Sequence, residues 1–152
     1  MQSSEYCQDL PAFQTWLNAN YELFNYISHN LPMIDPQMYT IFTSINRYLP
    51  PDFTRMTGSL HGLAINQSMV SGDTKLKSHL DWKDINYCYN TVLSWGEFGC
   101  RNLTFWQLNV IYEVFPDDCL LFMGSVIFHQ VSDITSSERN SLDLFCHKST
   151  ID

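Results

Sequence analysis

Short apolar runs separated by turn residues fill the chain after Pro50-Pro51, and they constrain the fold more than any other feature. Turn signals stand between them, for example Ser71-Gly72-Asp73 and Pro116-Asp117-Asp118. Runs of this length that are bounded by turns are typical of β-strands. They lie at 60–69, 76–82, 89–95, 103–108, 110–115, 119–123, 127–131 and 141–146. An all-β barrel or jelly roll is therefore expected over this part of the chain.

Residues 1–50 follow a helical spacing instead. Asp9 with Pro11 predicts a helix start, and apolar residues recur at helical steps until Pro32 ends the run. A second helix is expected from Pro36 to Pro50-Pro51. The prediction is a mainly β fold preceded by two supporting α-helices, within a single domain over 1–152.

The bulk composition excludes several classes of protein. A chain of 152 residues that is 45% apolar can bury one core, while a net charge of −8 disfavours a broad phosphate-binding surface. Five cysteines without a C-x-x-C pair fit neither a disulfide framework nor a zinc ribbon. No secretory or membrane-spanning segment is recognisable, so an intracellular protein, nuclear or cytoplasmic, is expected. The composition leaves the oligomeric state open.

His79, Asp81 and His129 are the candidate metal ligands. His79 and Asp81 are two residues apart, so in a strand both side chains point to one face. His129 lies in the apolar run 127–131 and can reach them from another strand. Two histidines and one carboxylate form the facial triad of non-haem Fe(II) oxygenases, which leaves open positions for an organic co-substrate and O2. Each residue alone is common by chance, and the joint spacing is what predicts the site.

Arg139 and Ser141 form a second pair with the same i, i+2 spacing. An arginine fork and a hydroxyl on one strand face can bind a carboxylate through charge-assisted hydrogen bonds. Taken alone, Arg139 beside Glu138 in a polar stretch is more often a surface charge. At this distance from His129 the pair predicts the anchor for the carboxylate of a co-substrate.

With these residues the chain resembles the Fe(II)/2-oxoglutarate-dependent dioxygenase superfamily, and within it the TET/JBP-like oxygenases, including their fungal members. The matching segments are Ala64-Ile65-Asn66, His79-Leu80-Asp81-Trp82-Lys83-Asp84, Gly96-Glu97-Phe98, Asp118-Cys119-Leu120-Leu121-Phe122, His129 and Arg139-Asn140-Ser141-Leu142.

The resemblance implies a double-stranded β-helix, a jelly-roll or cupin-like barrel, as a catalytic core over 58–148, with 1–50 as a helical support region. It also implies decarboxylation of 2-oxoglutarate to succinate and CO2, coupled to hydroxylation of a C–H bond. His79, Asp81 and His129 would bind Fe(II), Arg139 and Ser141 would bind 2-oxoglutarate, and Asn66 would line the pocket. The substrate implied is 5-methylcytosine or another modified nucleobase.

Two alternatives stay open. Glycines that are common in such relatives are replaced at Gly99-Cys100-Arg101-Asn102 and at Pro116-Asp117-Asp118, which favours a catalytically impaired metal-binding or interaction module. The acidic composition favours a protein or small-molecule hydroxylase over an enzyme acting on nucleic acid. Trp82, Trp95, Trp106 and the Tyr87/Tyr89 pair are expected to fill the barrel core rather than to stack on a base.

Overall fold

The computed structural model describes residues 9–50, 60–69, 77–99, 101–132 and 138–150. They form two compact units, one helical and reaching His61, to which residues 149–150 also belong, and one β-rich over Gly62–Lys148. The single-domain organisation stays a prediction. The turn expected at Ser71-Gly72-Asp73 lies outside the described residues.

The helical unit contains three described helices, so the expectation of two was wrong. They are α1 (Leu10–Ala19), α2 (Tyr21–Ile34) and α3 (Pro36–Ile45). Asn20 divides the first predicted helix: its side-chain amide and its backbone N–H both donate to the carbonyl of Trp16, at 2.8 and 3.1 Å. Pro32 does not end α2, but it stands in the last turn. No described helix is long and apolar enough to cross a membrane.

Helix starts follow the sequence signals. The carboxylate of Asp9 accepts the N–H of Ala12 at 3.1 Å, and that of Asp35 accepts the N–H of Met38 at 2.9 Å. Both aspartates are N-caps, and each is followed by a proline in the first turn of its helix. The predicted starts at Asp9 and Pro36 are thereby confirmed, whereas α3 ends at Ile45, before Pro50-Pro51.

The β unit is made of antiparallel strands in two sheets. A four-stranded sheet has the order β1-β7-β2-β5 and a three-stranded sheet the order β4-β3-β6. The mainly antiparallel β character is confirmed, but the strands of the described ranges form no closed barrel. The strands are β1 (Gly62–Met69), β2 (Asn90–Trp95), β3 (Arg101–Phe105), β4 (Val110–Val114), β5 (Cys119–Phe122), β6 (His129–Val131) and β7 (Glu138–Phe145).

The expected strand over 76–82 is not formed in its described part. His79 makes only an isolated antiparallel bridge to His129. Beyond it the chain turns, with the N–H of Asp84 donating to the carbonyl of Asp81 at 2.8 Å. The turn bends the chain away from β6, so the pairing that begins at His79 does not continue as a ladder. The segment 77–89 is therefore a loop that is anchored to β6 at one point.

Apolar residues of both sheets form the core of the β unit. Leu103, Phe105, Val114 and Phe122 are buried together, and Val92, Phe98, Leu120, Ile127 and Val131 pack against them. Of the five aromatic residues expected to fill the core, all but Tyr89 are exposed, so that expectation was wrong for Trp82, Tyr87, Trp95 and Trp106. They lie in the loop 77–89 or at strand ends, where the bulky rings leave the sheet interior.

Candidate metal centre

His79, Asp81 and His129 meet at one point of the β unit. One ligand atom from each residue lies within 4.8 Å of the others. The carboxylate of Asp81 faces both imidazoles, with one oxygen 3.7 Å from Nε2 of His79 and the other 3.7 Å from Nε2 of His129. The two rings are 4.4 Å apart between centroids. The structure thus brings together all three ligands predicted from the sequence, although 77–89 is a loop.

Backbone carbonyls orient the two imidazoles. Nδ1 of His79 lies 2.9 Å from the carbonyl oxygen of Lys77, and Nδ1 of His129 lies 3.0 Å from that of Ile127. A carbonyl only accepts, so each Nδ1 carries a proton, and in a neutral ring the lone pair is then on Nε2, which faces Asp81. Burial lowers the pKa of His129, which favours the neutral ring that a metal requires. Two imidazole nitrogens and a carboxylate fit a non-haem Fe(II) ion.

Asn90 supports the carboxylate of Asp81. Its side-chain nitrogen lies 3.2 Å from Asp81 Oδ2 and 2.7 Å from Asp84 Oδ2, and its side-chain oxygen accepts the N–H of Gly124 at 3.1 Å. Gly124 itself approaches so closely that an added Cβ would overlap the Asp81 carboxylate. The N–H of Asp81 donates to the carbonyl of Gly124 at 2.9 Å. Asn90 and Gly124 therefore hold the Asp81 carboxylate from two sides.

Arg139 is buried on β7 and bound to Ser94 of β2. Its Nε and Nη2 donate to the hydroxyl oxygen of Ser94 at 3.1 and 2.6 Å. The guanidinium lies over the ring of Phe98, 6.0 Å from its centroid, and burial lowers the pKa of Arg139. The alternative that Arg139 is a surface charge is wrong, since only 6% of it is exposed. Its other N–H groups remain to serve a carboxylate.

Ser141 and Asn66 lie beside each other and meet at Asp143. Asn66 of β1 pairs with Ser141 of β7 in the register of the sheet. The amide of Asn66 donates to Asp143 Oδ2, and the hydroxyl of Ser141 also bonds to that carboxyl group. Burial raises the pKa of Asp143 to about 6, against a lowering effect of Arg139. Arg139, Ser141 and Asp143 alternate along one strand and face the same side.

A cavity of about 310 Å³ is lined by Asp81 together with two other acidic residues, Asp84 and Asp143. Asp84 and His147 form an isolated β-bridge at this place, and burial raises the pKa of Asp84. Asp143 lies on β7, the strand that carries Arg139, and it also lines the cavity beside Asp81. The lining consists of Ala64, Leu80, Asp81, Trp82, Lys83, Asp84, Asn90, Asp143, Phe145 and His147.

Sequence reasoning missed four residues of this site. Asp143 was visible in principle, since Arg139, Ser141 and Asp143 continue one i, i+2, i+4 pattern. Asn90, Ser94 and His147 carry no such signal: they are single polar residues whose partners are distant in sequence. His147 has no partner at ligand spacing in the sequence, yet it lines the cavity.

No protein-family model matches the sequence, and none of the curated proteins does either. Among solved structures, NgTET1 in complex with 5mC DNA is similar to this chain, with a TM-score of 0.75 and 24% sequence identity. The chain has a TET-like fold. The likeness covers 97% of this chain and 55% of the NgTET1 chain, so the chain spans about half the length of that protein.

The TET-like fold confirms the resemblance to TET/JBP-like oxygenases that the sequence motifs predict. What the residues bind is a separate question, which rests on the geometry of the site.

Proposed function

We propose that this chain is an Fe(II)- and 2-oxoglutarate-dependent dioxygenase. The observation that carries the proposal is the convergence of His79, Asp81 and His129, with their ligand atoms within 4.8 Å and both histidine Nε2 atoms oriented toward Asp81. The TET-like fold supports it. In this proposal the two sheets correspond to the halves of a double-stranded β-helix.

The reaction consumes one O2 and one 2-oxoglutarate. One oxygen atom enters the substrate C–H bond as a hydroxyl group, and the other enters the succinate that remains after CO2 leaves. When bound, Fe(II) supplies the activation of O2. His79, Asp81 and His129 would hold the ion on one face, and the remaining positions would stay open to the co-substrate and O2.

Arg139 and Ser141 would bind the distal carboxylate of 2-oxoglutarate. Arg139 is already oriented by its two hydrogen bonds to Ser94, so it loses little conformational freedom when it binds an anion. Because Arg139 is buried, its positive charge attracts an anion more strongly than a charge exposed to water would. Asn66 would act through Asp143 rather than through direct contact with the co-substrate.

For the substrate we propose a modified nucleobase such as 5-methylcytosine. The similarity to NgTET1, which was solved with 5mC DNA, supports this class. The cavity beside Asp81 offers Asp84 and His147 as polar groups for a base, and the exposed ring of Trp82 lies at its border. The net charge of −8 limits the affinity for duplex phosphates, so the base contacts must contribute much of the binding.

The first experiment is anaerobic addition of Fe(II) and 2-oxoglutarate to the purified chain. A visible charge-transfer band that requires both additions is expected, because the co-substrate chelates the ion. Succinate formation after exposure to O2, with and without a methylated DNA duplex, then measures turnover. A folded protein that forms no band and no succinate would contradict the proposal.

Two other functions give different outcomes in the same assay. An impaired metal-binding module would bind Fe(II) without producing succinate; the replaced glycines at Gly99-Cys100-Arg101-Asn102 and Pro116-Asp117-Asp118 favour it. A protein or small-molecule hydroxylase would produce succinate without stimulation by DNA; the acidic composition favours that function. A succinate yield that rises with methylated DNA selects the nucleobase oxygenase.

A further inference from the structure

Asn90 is the first residue of β2, and it is buried with 6% of its surface exposed. Its amide has two N–H donors and one carbonyl acceptor. The N–H of Gly124 can only donate, so Oδ1 of Asn90 must face Gly124, which it meets at 3.1 Å. The amino group is thereby fixed toward Asp81 Oδ2 at 3.2 Å and Asp84 Oδ2 at 2.7 Å. One side chain thus holds two carboxylates.

We propose that Asn90 is a positioning residue of the metal centre, which fixes the orientation of the Asp81 carboxylate for metal binding. The inference rests on the proposed metal site. Asp81 is partly exposed and belongs to a loop, so without a donor its carboxylate has several rotamers available. Hydrogen bonds from the surrounding shell to a ligating group typically strengthen metal binding by roughly 10–100-fold.

The position requires a neutral donor. Asp81 and Asp84 both carry carboxyl groups, and the amino group of Asn90 lies between them. An aspartate in the same place would keep the acceptor for Gly124 and nearly the same shape, but it would offer no donor and would add a like charge. The change Asn90→Asp therefore removes the proposed role while it preserves the volume of the side chain.

Gly124 packs against both partners of this bond. A Cβ on Gly124 would overlap Asp81 Oδ2 and would lie 3.0 Å from Asn90 Oδ1. Asn90, Gly124 and the Asp81 carboxylate are therefore in close contact, and the amide cannot withdraw without breaking its bond to Gly124. Because Asp84 lines the cavity and shares the same amino group, Asn90 also connects the metal ligand to the cavity wall.

The test is calorimetric titration of the metal-free chain with Mn(II) alone, which replaces Fe(II) without oxidation. We compare the wild type with Asn90→Asp and Asn90→Ser, and we use Asn140→Ala as the control. Asn140 also donates an amide hydrogen bond to a carboxylate, Glu138 at 2.9 Å, on β7 but away from the metal ligands. The unfolding midpoint of each variant without metal is measured in parallel.

We expect Asn90→Asp and Asn90→Ser to bind one Mn(II) about 10–100-fold more weakly than the wild type, and Asn140→Ala to bind it equally well. The absorption bands of the Co(II)-loaded protein are expected to shift in the Asn90 variants and not in the control. Asn90→Ser keeps the test valid if the added charge of Asn90→Asp prevents folding.

Two results would overturn the inference, and they differ from each other. Folded Asn90 variants with the Mn(II) affinity and Co(II) spectrum of the wild type would show that Asn90 serves the fold alone, while the proposed function stands. A folded wild type that binds no Mn(II) and no Co(II) would refute the metal centre itself, and the role of Asn90 with it.

Discussion

His79 and His129 lie opposite each other in a single antiparallel bridge, in which each backbone N–H donates to the carbonyl of the other residue at 3.0 and 3.1 Å. The bridge attaches the loop 77–89 to β6 and brings the imidazole rings together. A metal ion bound to both rings would therefore stabilise the attachment of the loop as well as complete the site.

Metal binding is expected to raise the stability of the fold. An ion at a free concentration of 100 times its dissociation constant adds about 2.7 kcal/mol if it binds the folded state alone. Thermal unfolding with Mn(II) and then with excess EDTA measures this effect and its reversal. His79→Ala should abolish the stabilisation, whereas His29→Ala, at an exposed position of α2, should retain it. Equal metal-dependent shifts in both variants would contradict the ligand assignment.

Arg139→Ala is expected to leave metal binding intact and to weaken 2-oxoglutarate binding. Loss of one partner of a buried charged pair costs about 2–5 kcal/mol, which predicts an affinity lower by roughly 30-fold or more. Titration of the Mn(II)-loaded protein with 2-oxoglutarate measures it. Arg47→Ala removes an exposed arginine of the helical unit and serves as the control. An unchanged affinity in folded Arg139→Ala protein would exclude this arginine as the anchor.

Asp143→Asn is expected to change how stability depends on pH. Burial raises the carboxyl pKa from 3.8 to about 6, so the folded state holds a proton that the unfolded state has lost between these values. The wild type should therefore lose stability as pH rises from 4 to 6, and the full penalty remains above 6. The Asp143→Asn variant lacks this loss. From pH 4 to 6 its free energy of unfolding should therefore rise by about 1–3 kcal/mol relative to that of the wild type. Urea unfolding of both proteins at several pH values measures it; parallel curves would refute the prediction.

Tyr87→Asn is expected to stabilise the loop 77–89. Tyr87 has a left-handed backbone conformation, with φ 62°. Because 65% of the residue is exposed, packing of its ring does little to offset the strain of this conformation. That conformation costs about 1–2 kcal/mol for an ordinary residue and less for asparagine. The free energy of unfolding should rise by about 0.5–1 kcal/mol. Tyr87→Phe should be neutral and Tyr87→Val destabilising; a lower stability of Tyr87→Asn than of Tyr87→Phe would contradict the explanation.

The sequence predicted the strands well because their signal is local. Runs such as 89–95 and 119–123 correspond to β2 and β5. A short apolar run between turn residues has few alternatives to a strand conformation. The replaced glycine at Pro116-Asp117-Asp118 is also accommodated: Asp117 adopts φ 69°, and Asp118 accepts the N–H of Phe115 at 2.8 Å. The turn therefore forms with an aspartate in the left-handed position.

What the sequence could not predict depends on distant partners. The loop at His79 looks like a strand, because apolar content does not show that the turn at Asp84 competes for its hydrogen bonds. The support that Asn90 gives to Asp81 depends on Gly124, a residue of another segment. The triad itself was predictable, since its spacing carries the signal, whereas the residues around it were not.

The order of the four-stranded sheet has a consequence for how the chain folds. β7, the last strand along the chain, lies between β1 and β2, and Gly62 of β1 pairs with Phe145 of β7. Until β7 has left the ribosome, neither β1 nor β2 has this neighbour. Pairing over such a sequence distance is slow, because loop closure precedes any gain from contacts. The four-stranded sheet, and the candidate site within it, therefore assembles only after residue 145 has been translated.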